Sequence, residues 1–350
     1  MRAKTAKFSP YRFETVIPLY ELLPLPVPLS IHIDPANICN FRCKFCPTGS
    51  RELLRTVGRP SGLMSYDLYC KIIDDLYQLT ITQNRMVKRL FLYKDGEPLF
   101  NSRLGDMAEY AKKRQVAESV ETTINASLLS KKNAISLIEK GFDVIRVSIE
   151  HVTCEGYQEI TRTFSDYDKI VKAVKFLYEE KARRNSPLCI HTKIVNTGLT
   201  KYERKKFVSD FGNISDTINI DELMGWSRAE SKDFTLGIRV TSGMDGVSPI
   251  CNRKVCPEPF SKLAINFDGS VSVCCVDWSH GTIVGDLRKK SLSDVWNGES
   301  LHRFRMAHLH NRREKIRACA SCHYLCGLPE HCNIDSRVDS LVKMYSRNGT

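Results

Sequence analysis

Three cysteines, Cys39, Cys43 and Cys46, stand at C-x3-C-x2-C spacing directly after the short apolar run Ile31-His32-Ile33. Thiolates are the soft ligands of iron–sulfur clusters, and a [4Fe–4S] cube needs four of them to be saturated. Three leave one iron open, able to bind a small molecule and pass it an electron. That is a catalytic arrangement. Structural zinc is the competing chemistry, but zinc sites usually come as two C-x2-C halves, and no fourth ligand lies nearby. The spacing therefore favours a cluster.

A second group of cysteines follows late in the chain: Cys251, Cys256, Cys274, Cys275, Cys319, Cys322, Cys326 and Cys332. That density, with Cys319-Ala320-Ser321-Cys322 inside it, exceeds what packing requires; a zinc ribbon is the alternative to a cluster. Between them, Ala264 to Cys274 reads as a hairpin turning at Asp268-Gly269. Asp286 to Trp296 reads as a strand end and a helix start. Cys70, Cys154 and Cys189 fall within helix or strand patterns and read as core residues.

The elements that must position these thiols come next. With 350 residues there is room for one large domain and a smaller one. Hydrophobic residues at 42% and charged residues at 26% describe an ordinary globular chain. Met1 to Phe13 is basic and polar. Val16 to Leu29 is apolar but broken by Pro18, Pro24, Pro26 and Pro28, which suits neither a signal peptide nor a membrane helix. Fourteen cysteines without an export signal then point to metal ligation in a reducing cytoplasm. The net charge of +12 is spread over clusters such as Lys112-Lys113-Arg114, and scattered cations read as solvated surface. No RNA-recognition motif is present, so a nucleic-acid partner is not expected.

From Ile31 to Met224 strand and helix alternate. Strands are expected at Ile31–Asp34, Val87–Tyr93, Ser119–Ile124, Val144–Ile149, Leu188–Val195 and Thr217–Leu223. Helices are expected near Tyr66–Gln78, Leu104–Arg114, Lys131–Lys140, Tyr167–Glu180 and Tyr202–Phe211. Continuous apolar strands separated by helices indicate parallel units with right-handed crossovers. Six units suit an α/β fold of the partial (β/α)6 TIM-like barrel type, whose chemistry gathers at the carboxyl ends of the strands. The cysteine loop leaves the first strand at that end.

The second strand runs into Lys94-Asp95-Gly96-Glu97-Pro98, where glycine permits a tight backbone path and glutamate can receive an ammonium group. Following a C-x3-C-x2-C loop, this segment resembles the radical S-adenosylmethionine superfamily. That family has an aromatic before the last cysteine, here Phe45, and a Gly-Gly-Glu-type motif after strand two, here Asp95-Gly96-Glu97. The resemblance covers about Pro28 to Gly225. It implies that Cys39, Cys43 and Cys46 hold the cluster, and that Glu97 and the backbone at Gly96 receive the cofactor amine. Asn125 matches a strand-three turn that contacts the cofactor, although Ala126 replaces the commoner glycine. Ser148 and Glu150 match a strand end facing cofactor or substrate, and Glu150 is a catalytic candidate. Arg162 matches a position that pairs with the cofactor carboxylate.

The later cysteines, with Gly269-x4-Cys274 and the segment Ser291 to Trp296, resemble the SPASM/twitch auxiliary-cluster domains of the same superfamily. Their spacing resembles the single-cluster twitch type, as in a dehydrogenase that oxidises an aminocyclitol. This implies one auxiliary [4Fe–4S] cluster on Cys256, Cys274, Cys319 and Cys322, with two clusters as the alternative and Cys251, Cys326 and Cys332 in reserve. The expected divisions are an extension at 1–29, the barrel at 30–225, a linker at 226–250 and a hairpin-plus-helix domain at 251–350. A ligated auxiliary cluster would take an electron from a substrate radical, giving dehydrogenation. A free thiol, with Cys275, Cys326 and Cys332 as candidates and Cys275 reading better as a buried or spare cysteine, would return a hydrogen atom and give epimerisation. The expected partners are a small carbohydrate, polyol or aminocyclitol and an external electron donor such as flavodoxin or ferredoxin. A peptide-modifying maturase is the second reading, and a zinc or nucleic-acid binding protein the non-enzymatic one.

Overall fold

The computed structural model describes residues 6–8, 17–227, 232–239, 241–244, 246, 249 and 252–347. Parts of the expected N-terminal extension and linker, and Cys251, lie outside them. Ten strands form one sheet: β1 (Lys7–Phe8), β2 (Ser30–Ile33), β3 (Val87–Leu92), β4 (Ala117–Ile124), β5 (Val144–Ile149), β6 (Cys189–Asn196), β7 (Thr217–Glu222), β8 (Lys262–Ile265), β9 (Ser270–Ser272) and β10 (Ile283–Asp286). Their order is β1-β7-β6-β5-β4-β3-β2-β8-β9-β10. Strands β2 to β7 are parallel to their neighbours, as crossover helices require. The six-unit partial barrel stands.

The crossover helices start where the sequence supplies caps. Ser65, Ser130, Asp166 and Thr200 each accept a backbone N–H of the first turn of Tyr66–Thr82, Lys131–Glu139, Tyr167–Arg183 and Lys201–Phe211 respectively. Their apolar stripes pack on one face of the strands, where Ile31, Ile33, Leu90, Leu92, Ile145, Val147, Ile190 and Ile194 are all buried.

The other face corrects the expectation of continuously apolar strands. His32, Phe91, Glu121, Arg146 and His191 alternate with those aliphatic residues and are buried too. His32 stacks on Phe91 at 4.4 Å, the Arg146 guanidinium lies 5.3 Å from the Phe91 ring, and Arg146 pairs with Glu121. A barrel whose interior were only packed would be aliphatic on both faces. This one keeps paired polar groups inside.

The cysteine-rich segment continues the same sheet. β8 pairs in parallel with β2, with Ile31 opposite Leu263 and Ile33 opposite Ile265. β9 and β10 add antiparallel strands, and Gly269 turns the expected hairpin with φ +85°. Helices Glu299–Leu309 and Val338–Arg347 close over it, with Phe260 edge-on to Tyr345 at 5.5 Å. Among the described residues no helix is long and apolar enough to cross a membrane.

Candidate active site and a second cysteine-lined cavity

The loops leaving β2 and β3 are laced together. Glu97 donates its backbone N–H to the Ile38 carbonyl at 2.9 Å. A Cβ on Gly96 would stand 2.2 Å from the Ala36 oxygen and 2.5 Å from that of Ile38, so only glycine permits the approach. The cysteine loop is also pinned to helix Cys154–Thr161, because Arg42 and Lys44 donate to the carbonyls of Thr161 and Ile160, each at 2.9 Å. These ties set Cys39, Cys43 and Cys46 around a cleft of about 600 Å3, its open mouth included. Phe45, Gly96, Glu97, Asn125, Ser148 and Glu150 line the same cleft.

Burial pushes the Cys39 thiol up to about 12 and raises Cys43 and Cys46, with Glu150 and the neighbouring thiols adding repulsion at Cys39 and Cys43. A pocket that so disfavours free thiolates fits a bound cluster, whose iron supplies the missing positive charge. Glu97 is held rigidly: its two carboxylate oxygens accept from Leu99 N at 3.0 Å and Asn125 N at 2.7 Å, and burial raises it to about 7. Each oxygen keeps a lone pair for an ammonium group. Asn125 donates to Asn40 Oδ1 at 3.0 Å, tying the third strand end to the cysteine loop. Glu150 is buried and raised to about 7 for the same reason, against the pull of Lys193. Trp226 Nε1 donates to the Phe45 carbonyl at 2.9 Å and fastens that aromatic.

Arg162 is placed differently. It caps helix Cys154–Thr161 with φ +52°, is exposed, and is absent from the cleft lining.

The Asp95 that replaces the first glycine of the motif is the centre of a buried ionic group that sequence reasoning missed. Its carboxylate pairs with Lys94, lies 3.7 Å from Arg59 Nη1 and 3.5 Å from His280 Nε2. Lys94 Nζ also donates to the Asp277 carbonyl at 3.0 Å, and Arg59 Nη1 to the Trp278 carbonyl at 3.3 Å. These cations hold Asp95 far below the usual carboxylate range despite its burial. The departure from Gly-Gly-Glu was the signal: a charge in place of glycine needs a partner.

Asp277 leads into the second cavity, about 430 Å3 and more enclosed, lined by Cys256, Cys274, Cys319 and Cys322. The structure thus brings together four thiols that lie far apart in sequence. Burial pushes Cys319 to about 12 and Cys322 to about 11, and raises Cys256 as well. Four soft donors around one buried cavity fit a fully ligated cluster. Glu258, also unforeseen, accepts from the Cys274 thiol at 3.6 Å and pairs with Lys262 at 2.8 Å. Cys326 and Cys332 line neither cavity; Tyr324 and Leu325, of the short turn His323–Gly327 that holds Cys326, line the second one instead.

A family model of the radical SAM superfamily matches residues 33–209, just over half of the chain. The chain belongs to the radical SAM superfamily. A model described as an iron–sulfur cluster-binding domain, SPASM, matches residues 256–323. This radical SAM protein therefore binds S-adenosylmethionine and a [4Fe–4S] cluster, and its SPASM domain implies auxiliary iron–sulfur binding. It is 24% identical over 315 residues, 79% of this chain and 82% of the relative, to the tungsten-containing aldehyde ferredoxin oxidoreductase cofactor-modifying protein of Pyrococcus furiosus. A GTP 3',8-cyclase of Limosilactobacillus fermentum is 29% identical over 133 residues, 38% of this chain and 36% of that protein. Among solved structures, BtrN in complex with AdoMet and 2-DOIA superposes with TM-score 0.53 and 16% identity, covering 85% of this chain and 93% of that one. SuiB of Streptococcus suis bound to S-adenosylmethionine gives TM-score 0.60 and 15% identity, covering 88% and 74%. At these identities the solved structures speak for the fold.

Proposed function

We propose that this radical SAM enzyme oxidises a small polar molecule, of the carbohydrate, polyol or aminocyclitol class, by two electrons. The observation that carries the reading is the pair of cavities: three thiols at an open cleft, four at an enclosed one. When bound, S-adenosylmethionine and its cluster supply a 5'-deoxyadenosyl radical, and the auxiliary cluster supplies an electron sink. The chain's own part is positioning. Cys39, Cys43 and Cys46 hold the first cluster, while Glu97, the Gly96 backbone and Asn125 orient the cofactor amine. Ser148 and Glu150 face the bound molecules. Cys256, Cys274, Cys319 and Cys322 hold the second cluster.

Substrate binding is assigned to the polar barrel interior. Lys193 pairs with Asp221 at 3.0 Å, and Asn219 donates to Asp221 at 2.6 Å, so cation, carboxylate and amide stand together near Ser148. Such a set suits hydroxyl and amino groups. The Pyrococcus relative is a cofactor-modifying protein, which supports a small substrate over a peptide. Dehydrogenation is preferred to epimerisation because Cys326 and Cys332 line neither cavity.

Anaerobic reconstitution followed by dithionite and S-adenosylmethionine should yield 5'-deoxyadenosine; none formed would overturn the enzyme reading. Turnover of a polyol panel in deuterated buffer then separates the outcomes. A ketone product supports oxidation, whereas carbon-bound deuterium in recovered substrate would show epimerisation.

A further inference from the structure

Helix Glu299–Leu309 buries Leu301, Arg305 and Leu309 in the fold and sets Phe304 and His308, one turn apart, along the four-cysteine cavity. Other polar groups of that wall find partners within the chain. Glu258 pairs with Lys262 at 2.8 Å, and Asp277 accepts from Thr282 Oγ1 at 2.7 Å. Ser227 Oγ donates to the Val276 carbonyl and Arg313 Nη1 to that of Cys319, each at 2.6 Å. His308 is the exception. It is 1% exposed, and among the described residues it is the one histidine with both ring nitrogens buried and lacking a hydrogen-bond partner. The Phe304 ring stacks on it at 5.1 Å and holds its plane. Buried polar atoms are nearly always satisfied, so two unmet ones beside one cavity point to what fills it.

Burial, with repulsion from Arg313, lowers the imidazolium to about 4, so near neutral pH the ring is uncharged and carries one N–H. No acceptor among the described residues meets that N–H. The sulfurs of a cluster held by Cys256, Cys274, Cys319 and Cys322 would. We propose that His308 donates a hydrogen bond to a sulfur of the auxiliary cluster and so raises its reduction potential, a role that rests on the proposed seating of that cluster. Reduction adds one negative charge to the cluster, and an N–H donor favours the more negative form. The proton stays on the ring, and no covalent bond forms or breaks. A cluster so biased is the better acceptor for the electron released in the proposed oxidation. Direct ligation of iron by His308 fits less well, since four thiols already saturate a cube.

The test compares His308→Phe with His308→Gln in the reconstituted protein, by reductive titration followed with electron paramagnetic resonance. The auxiliary signal is the one that S-adenosylmethionine leaves unaltered. In His308→Phe, which loses both nitrogens, its midpoint should fall by about 59 mV, tenfold in the one-electron equilibrium. In His308→Gln, which keeps an N–H, the midpoint should return at least halfway to wild type. Iron content and thermal unfolding should match wild type in both. A second readout needs no variant: with isotope-labelled histidine, the wild-type auxiliary signal should carry a weak nitrogen coupling. An unmoved midpoint in His308→Phe overturns the proposal, as does an equal fall in both variants, which would mark a packing effect. Absence of the nitrogen coupling overturns it too, and so does a coupling of ligand strength with loss of iron from both variants. A wild type without any second cluster signal sinks the cluster assignment and this role with it. A shifted midpoint in an enzyme that oxidises no polyol leaves the role of His308 standing and sinks the proposed function instead.

Discussion

The two cysteine-lined cavities differ in the property that matters. The barrel cleft has three thiols, an open mouth, and carboxylates and amides on its walls. The later cavity has four thiols and a largely apolar shell that includes Pro259, Val273, Phe304 and Leu325. An incompletely ligated cluster can bind and reduce a ligand, whereas a saturated one can only store or pass an electron. Yet the two are wired into one scaffold, because β8 extends the sheet from β2 and Lys94 reaches from the Glu97 loop to Asp277. On the proposed function, division of labour rests on ligand count and on exposure.

The strongest way to break that contrast is to remove thiols from one side only. The triple variant C39A/C43A/C46A should form no detectable 5'-deoxyadenosine by chromatography while keeping about four irons per chain on the later cavity. Loss of all iron would show that the two sites do not load independently. Next, Cys319→Ala should lower product formation about a hundredfold while cleavage of S-adenosylmethionine stays within a few-fold of wild type. Equal loss of both would assign the later cavity to the first step.

The link between the regions is tested by Lys94→Met. It leaves Asp95 buried with the Arg59 guanidinium as its remaining fixed counter-charge and the His280 ring 3.5 Å away. Removing one member of a buried ionic group costs about 3–5 kcal/mol. Chemical denaturation should show that loss, and an unchanged midpoint would mean the group contributes nothing to joining the regions. The smallest expected effect has the opposite sign. Ala126, next to Asn125, is held at φ +59°, so Ala126→Gly should stabilise by up to about 1 kcal/mol. Cofactor affinity should be unaltered, since Asn125 keeps its bond to Asn40. A destabilised variant would show that the Ala126 methyl, which is buried, matters more than the backbone strain.

Much of this was readable from residue order. Local patterns place strands to within a residue or two, as at Val144–Ile149, because burial between helix and sheet repeats over a few positions. The motifs at Cys39 to Cys46 and Asp95 to Glu97 are local too: adjacent atoms on one loop suffice to state their chemistry. Arg162 shows the limit. A motif carries a residue's place in the chain but not its direction, and the left-handed turn at the helix end leaves that side chain exposed.

What the sequence by itself determined is thus the six-unit barrel, the two cysteine sets and the class of cofactor. Tertiary structure alone decided the rest. It joined the late hairpin to β2, closed Cys256, Cys274, Cys319 and Cys322 around one cavity, and excluded Cys326 and Cys332 from it. It also gave the barrel interior its polar face and Asp95 its partners. The physical reason is range. Periodicity and ligand spacing act over a few residues, while pairing Arg59 and His280 with Asp95 depends on three distant segments packing together, which no single stretch of chain encodes.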